Sequence, residues 1–351
     1  MAIAPDLVVD VGGSGRERGR THGEALRGRI VAGLERWDAD VAARLRIDAA
    51  GHVAAFLAQT RFLDAIERHT PALLEEVRGI AEAAGVAFDR ILALNLMDEE
   101  WWFSSSPSGR QACSVVAAAP GEGRPALLAQ NMDLPQVMDG GQAVLRVTGG
   151  DGLQTAVLTA AGMIGLTGAN SAGLGVCVNA LSMLRHSPAG LPVAFVIRGV
   201  LERRSLDDAA AFLRAVPHAS GQHYALAAPQ GAAGFECSAG GVARSDGDTG
   251  RFWHTNHPLA SADLDPADDH PDGYPDSHRR MAALQTAGPG LASAADCERL
   301  LADREAPLCV LPDGDPWMTF GSVAMELSAP PVVRVAPGPP DRTEWATVTL
   351  G

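Results

Sequence analysis

The sequence has no run of basic residues: its 28 Lys and Arg positions are scattered, and 42 acidic residues leave a formal net charge of −14. A chain with that balance repels a phosphate backbone, so nucleic acid is excluded as the expected partner. Nowhere does the sequence approach the roughly 20 consecutive apolar residues of a membrane-spanning helix. Its first residues, Met1-Ala2-Ile3-Ala4-Pro5-Asp6, lack the basic-then-apolar pattern of a secretory signal. The expectation is a cytoplasmic protein with no membrane partner. Cysteines are few, odd in number and widely spaced (Cys113, Cys177, Cys237, Cys297 and Cys309), and no two form a C-x-x-C pair. That spacing offers neither a zinc site nor a redox dithiol, and reduced, buried thiols are expected.

What is present is enough apolar material for a large core. Of 351 residues 46% are hydrophobic and mean hydropathy is near zero, which describes a folded chain of one large domain or two ordinary ones.

From Arg16 to about Phe103 the apolar residues recur every three or four positions, as in Leu26, Ile30, Leu34, Trp37, Val41 and Leu45, so the first third is predicted to be helical. The segment Ser104-Ser-Ser-Pro-Ser-Gly-Arg-Gln-Ala112 then breaks the period with loop-forming residues and ends directly at Cys113. Beyond it come short β-like runs punctuated by Gly and Pro, at 113–118, 126–130, 143–147, 155–159 and 174–181. Helices are predicted at 193–203, 207–216, 277–285 and 294–302, with further strands at 222–228, 235–238, 322–327, 332–335 and 345–350. Segregated strands and helices indicate an α+β fold. The acidic, Pro-rich stretch 262–275 has the composition of a surface loop.

Cys113 sits where a loop enters a strand, and about twenty residues later Gln130-Asn-Met-Asp133 ends a second strand. A hairpin of that length returns Asp133 toward Cys113. Two further strand ends, at Asn179 and in Trp253-His-Thr-Asn256-His-Pro258, each deliver a carboxamide. A cysteine by itself is most often a small buried apolar residue, and an Asp or Asn at a strand end most often serves a turn. The combination of loop, cysteine and Asp133 is what points to chemistry.

In order and spacing, these pieces resemble the N-terminal-nucleophile family of acyl-coenzyme A:6-aminopenicillanic acid acyltransferases and related cysteine amidohydrolases. The matching residues are Gly19-Arg-Thr-His-Gly23, Cys113-Ser-Val-Val, Gln130-Asn-Met-Asp133, the Asn170 to Asn179 segment, Thr255-Asn256-His257 and Ser277-His-Arg-Arg280. The resemblance implies a four-layer αββα fold and an inactive precursor that cuts itself between Ala112 and Cys113. A helical fragment, 1–112, and a catalytic fragment, 113–351, would stay together as one domain. It also implies an S-acyl Cys113 intermediate formed from an acyl amide or acyl thioester, without cofactor or metal, with Asp133 orienting the freed α-amine. Arg280 would bring a cation to the substrate, as a late arginine does in related bile-salt and penicillin-V amidases. The sequence departs from the acyltransferase pattern at Asp315-Pro-Trp-Met-Thr319, where no arginine precedes the late strand; this argues against penicillin-type substrates.

The chemistry accounts for the residue types. A thiol of ordinary pKa near 8.5 needs a proton acceptor at neutral pH, and an α-amine of pKa about 8 suits it. The tetrahedral oxyanion needs fixed donors, for which carboxamides serve, and Asn256 and Asn179 are the candidates.

Rival readings rest on less. His254, His257, Asp263, Asp265, Asp268, Asp269, His270, Asp272 and His278 crowd one region, as in a metal-dependent hydrolase, but no H-E-x-x-H spacing occurs. Ser171 lacks the flanking glycine of a serine-hydrolase elbow. Gly12-Gly-Ser-Gly15 lacks the Lys-Ser/Thr end of a phosphate loop and reads as a turn. His22 reads as helix packing and Asn170 as a turn residue. Glu99, Glu100, Trp101 and Trp102 either line a pocket or pack a last helical turn. A non-catalytic binding protein on the same fold is the remaining alternative.

Overall fold

The computed structural model describes residues 7–104, 113–247, 249–270, 272, 274–314 and 316–351. A short strand, β1 (Val8–Gly12), precedes seven helices: α1 (Gly15–Ala25), α2 (Arg27–Leu45), α3 (Ala49–Gln59), α4 (Phe62–His69), α5 (Pro71–Ala84), α6 (Phe88–Asn95) and α7 (Met97–Phe103). Six strands follow: β2 (Ser114–Ala118), β3 (Ala126–Pro135), β4 (Gln142–Thr148), β5 (Gln154–Ala160), β6 (Thr167–Asn170) and β7 (Gly175–Ala180). After α8 (Val193–Leu201) and α9 (Leu206–Ala215) come β8 (Gln222–Ala228), β9 (Gly231–Ser238), β10 (Gly241–Arg244) and β11 (Arg251–His254). The chain ends with α10 (Pro275–Ala287), α11 (Ala294–Leu301), β12 (Trp317–Leu327), β13 (Val332–Ala336) and β14 (Ala346–Val348).

The strands form two sheets, ordered β1-β4-β5-β6-β7-β8-β9-β10 and β11-β2-β3-β12-β13-β14. Period-two alternation sorts their side chains into separate cores. Between the sheets lie Val115, Ala117 and Leu128 against Val144, Leu158 and Ala225. On the outer face of the larger sheet, Leu145, Val157 and Leu226 pack against the apolar stripes of the N-terminal helices and of α8 and α9. On the outer face of the smaller sheet, Val116, Leu127 and Ala324 pack against Leu284 of α10 and Leu300 and Leu301 of α11. The result is the four-layer αββα arrangement. Among the described residues no helix is long and apolar enough to cross a membrane.

The expected helices form where their apolar period placed them, with Ile30, Leu34, Trp37 and Val41 buried along α2. At Gly12-Gly-Ser-Gly15 the structure has a helix start: Ser14 caps α1 and Glu17 returns the bond in a reciprocal capping box. Gly19 lets α1 lie directly on α5, since a Cβ there would stand 1.9 Å from the Glu76 carbonyl oxygen. His22 accepts from the Gly162 N–H at 3.0 Å, and burial pushes its pKa down to about 4, so it packs as the neutral ring. Departures from expectation include the unpredicted short strands β6 and β10, β1, which pairs parallel with β4, and β12, which begins five residues before 322. β1 is a five-residue edge strand too short to show a period, and β12 is extended by pairing along the whole of β3 across a bulge at Thr319/Gly321.

A buried ion triad ties the early helices to the later chain. Glu76 on α5 accepts from Arg198 of α8 at 2.7 and 3.1 Å and from Arg18 of α1 at 2.8 Å. Burial works against the Glu76 charge, but the two guanidinium groups hold its pKa below the usual carboxylate value. Removing one member of such a cluster strands the others' charge in a low-dielectric interior. Glu76→Gln is therefore expected to lower stability by about 3–5 kcal/mol, read as an earlier urea unfolding midpoint by circular dichroism.

Candidate active site

β2 and β3 pair antiparallel with Ser114 opposite Asn131, so Cys113, one residue before β2, falls beside Met132 and Asp133. Its Sγ lies 3.8 Å from Met132 Sδ and 3.8 Å from the Asp133 carbonyl oxygen. Ala112, the other side of the expected scissile bond, lies outside the described residues, as does Asp315.

The carbonyl of Cys113 is buried with its residue and accepts two side-chain donors, Arg280 Nη1 at 2.6 Å and Asn179 Nδ2 at 3.1 Å. Arg280 comes from α10. It also donates to Ser114 Oγ at 3.2 Å and to Asn256 Oδ1 at 3.0 Å, and it stands 3.6 Å from Asp276 one turn earlier. Asn256 in turn donates to the Ala180 carbonyl at 3.0 Å, and its backbone N–H is held by Ser277 Oγ at 2.8 Å. Ser277 also bonds His257 Nδ1 at 2.8 Å and Thr255 Oγ1 at 3.0 Å. The structure thus brings Cys113, Asn179, Asn256 and Arg280 into one bonded cluster, with Asp133 next to the thiol.

Behind Asn179 is a buried row of polar groups that sequence reasoning did not find. Its Oδ1 accepts from His223 Nδ1 at 3.1 Å, His223 stacks on His254 with ring centres 3.7 Å apart, and His254 Nε2 meets Glu236 Oε1 at 2.9 Å. Asn179, His223 and Glu236 are register neighbours across β7, β8 and β9, so they share one face of the sheet. Burial disfavours the Glu236 charge, yet His254 and the backbone N–H groups of Leu259, Ala260 and Ser261 keep its pKa below the ordinary value. Only the strand register makes this row visible.

A narrow, mostly apolar pocket opens against Cys113, Met132 and Asp133. Helix α7 contributes Met97, Asp98 and Trp101, α8 contributes Val193, Ala194 and Ile197, and Gln222 and Trp317 complete the wall. Trp101 meets Trp317 edge to face at 5.4 Å. Of the four residues ending the helical part, Trp101 reaches the pocket while Glu99 turns to the Val193 N–H and the Ser220 hydroxyl, at 3.1 and 2.7 Å. Asn170, the last residue of β6, holds the turn that follows: its side chain accepts from the Leu174 N–H and donates to the Leu201 and Arg203 carbonyls.

The electrostatics around the thiol are adverse to its anion. Burial, and then the Asp133 charge, push the Cys113 thiol up to about 12 against the opposing pull of a backbone hydrogen bond at Asp133 and of the Arg280 charge. Burial pushes Asp98 up to about 6 against its hydrogen bond from Gln222. Burial and the Asp98 charge push Glu99 to about 7. As for the metal reading, His254 is engaged by Glu236 and Thr255, and among the described residues no three His, Cys, Asp or Glu side chains are placed to hold an ion.

Residues 119–323 match the family model of acyl-coenzyme A:6-aminopenicillanic acid acyl-transferase. The 40 kDa form of the acyl-coenzyme A:6-aminopenicillanic-acid-acyltransferase of Emericella nidulans is 30% identical over 290 residues, 79% of this chain and 77% of that protein. Among solved structures, the R18L variant of the conjugated bile acid hydrolase of Clostridium perfringens is 13% identical over 68% of this chain and 97% of that one, with a TM-score of 0.43. Penicillin V acylase of Agrobacterium tumefaciens is 14% identical over 64% and 82%, with a TM-score of 0.36; superpositions at these scores do not bear on function.

A carboxyl whose folded-state pKa is raised favours the fold when protonated, so its penalty accrues as pH rises from the ordinary carboxylate value through the folded one. For Glu99, raised to about 7, stability is expected to fall between about pH 4.5 and 7. Glu99→Gln should flatten that decline, with a higher thermal midpoint than the wild type at pH 8 and little difference at pH 4.5.

Proposed function

Because this chain belongs to the acyl-coenzyme A:6-aminopenicillanic acid acyl-transferase family, we propose that it is a self-processing N-terminal-nucleophile enzyme in which Cys113 carries the acyl group. The observation that carries the reading is the position of Cys113, at the head of a strand and the mouth of a pocket, with its own carbonyl fixed by Arg280 and Asn179. A nucleophile held by its carbonyl keeps its thiol and its nitrogen in fixed directions, which is the preorganisation that acyl transfer needs.

In the precursor the thiol passes its proton to water, which later returns one to the Cys113 nitrogen, and Sγ attacks the Ala112 carbonyl carbon. The C–N bond of the tetrahedral adduct breaks as the Cys113 nitrogen takes a proton, leaving a thioester. Water opens it, giving an Ala112 carboxylate, a free thiol and a new α-amine. A thiol at about 12 is ionised on the order of 10⁻⁵ at neutral pH, so the mature enzyme needs an adjacent base, and the α-amine supplies it. Asp133 favours the ammonium form that results. The thiolate adds to the substrate carbonyl, the leaving amine or thiol takes the proton, and S-acyl Cys113 forms. Water then gives hydrolysis, or an acceptor amine gives transfer. Asn256 and Asn179 are the proposed donors to the oxyanion, and Arg280, whose Nη donors meet Cys113, Ser114 and Asn256, acts by positioning these groups.

The pocket takes residues from both sides of the proposed cut, with Met97, Asp98 and Trp101 before it and Cys113, Gln222 and Trp317 after it. The fragments 1–112 and 113–351, about 12 and 25 kDa by length, therefore act together, on a small acyl amide or acyl thioester.

The sequence contains no lysine, which makes the test direct. The intact chain carries one primary amine, at its start, and the cut chain carries two. Exhaustive amine labelling with intact mass measurement is expected to give two labelled fragments from wild type, the second beginning Cys113-Ser-Val-Val, and one singly labelled chain from Cys113→Ala. A single chain from both proteins would overturn the mechanism. In the processed enzyme, Asn256→Ala is expected to lower kcat by about 10²–10³ with a smaller change in KM, measured on any acyl amide that is turned over.

A further inference from the structure

The wall of the pocket beside Cys113 carries a pair of polar groups that acyl chemistry as such does not use. Asp98 on α7 lies in its wall, and Gln222, the first residue of β8, lies beside it and donates Nε2–H to Asp98 Oδ2 at 2.9 Å. The same Gln222 amide also reaches Ser220 Oγ at 3.3 Å, which fixes its nitrogen on that side and leaves Oε1 on the other. Gln222 is 1% exposed, and its Oε1 has no hydrogen-bond partner among the described residues. Asp98 takes part in none of the ion pairs among the described residues. What this pair offers a ligand is therefore two acceptors, a carboxylate and an amide oxygen.

Buried acceptors left without a donor are costly, and a carboxylate at an apolar wall is costlier still unless a cation meets it. The charged residues of the pocket wall itself, Asp98 and Asp133, are both carboxylates. Glu99 follows Asp98 on α7, where the Asp98 charge helps raise its pKa. Tyr224, two residues beyond Gln222, feels both Glu99 and Asp98. The nearby cation, Arg280, donates to the Cys113 carbonyl, Ser114 and Asn256 and is not part of the pocket wall. The rest of the wall, including Met97, Trp101, Leu166 and Ile197, suits a hydrocarbon chain.

Resting on the reading of this pocket as the acyl site, we infer that the acyl group it accepts is apolar along its length and carries an amino group, which as an ammonium donates to Asp98 and Gln222. An acyl group ending in a carboxylate would meet Asp98 and is rejected by that charge. Burial that brings Asp98 only to about 6 leaves it ionised at neutral pH, as the pairing requires.

The test uses the processed full-length enzyme and three 4-nitroanilides of matched length, 6-aminohexanoyl, heptanoyl and 6-carboxyhexanoyl. The expected order of kcat/KM is amino, methyl, carboxy, spanning at least tenfold. In Asp98→Asn the amino-to-methyl ratio should fall about tenfold. Gln222→Met, which removes the second acceptor while keeping the volume, should move the ratio the same way and stands in if the first variant does not fold. Calorimetric binding of the three corresponding primary amides to the same proteins separates the two levels of the claim. Turnover of all three compounds without this order, or a ratio that neither variant changes, overturns the amino-acyl inference and leaves the acyl-enzyme reading in place. Ordered binding without turnover supports the pocket inference and overturns the acyl-enzyme reading. Neither binding nor turnover overturns both.

Discussion

The carbonyl of Cys113 is buried, and a buried carbonyl needs a donor. It is met by the side chains of Arg280 and Asn179, each of which has to be held in turn. Arg280 is steadied by Asn256 and Asp276, Asn256 by Ala180 and Ser277, and Asn179 by the His223, His254 and Glu236 row. From this one requirement follow the placement of α10 against β2, the meeting of β7 with β11, and a polar seam through an otherwise apolar inter-sheet layer. Linked hydrogen bonds of this kind hold their members in place, although His223 Nε2 has no partner among the described residues. Here they hold the residue on which the proposed chemistry depends.

On the other side of Cys113 the environment is built for a different purpose. The pocket is walled by α7 and α8, and its electrostatics come from carboxylates, with Asp133 next to the thiol and Asp98 and Glu99 at the end of the N-terminal helical part. These charges oppose a thiolate and favour ammonium groups, both at the α-amine that the proposed scission creates and on a ligand in the pocket. One charge distribution thus supports the proposed resting state of the nucleophile and the kind of acyl group the pocket is inferred to take.

The two halves of the molecule share their core as well as their pocket. β1, from the start of the chain, is the edge partner of β4, and the Glu76 triad joins α1 and α5 to α8 through charges that stay buried only together. A cut before Cys113 would leave both joints intact, because neither involves residues 105–112. This is the physical reason to treat 1–112 and 113–351 as one folding unit.

Local patterns in the sequence determined a good deal: the helical first third from its period of three to four, and the return of Gln130-Asn-Met-Asp133 from the length of one hairpin. Each depends on residues close in the chain, where periodicity and turn chemistry act. The Asn179, His223 and Glu236 row was not legible, because His223 and Asn179 are 44 residues apart and meet only through strand register. The same holds for Glu76 and Arg198, 122 residues apart, and for Asp98 and Gln222, which face one pocket from a helix and a strand. Sequence spacing determined which groups stand at strand ends. Only the stacking of two sheets between helices decided which of those ends share a buried space, since burial and pairing between distant segments are properties of the packed layers and of no local pattern.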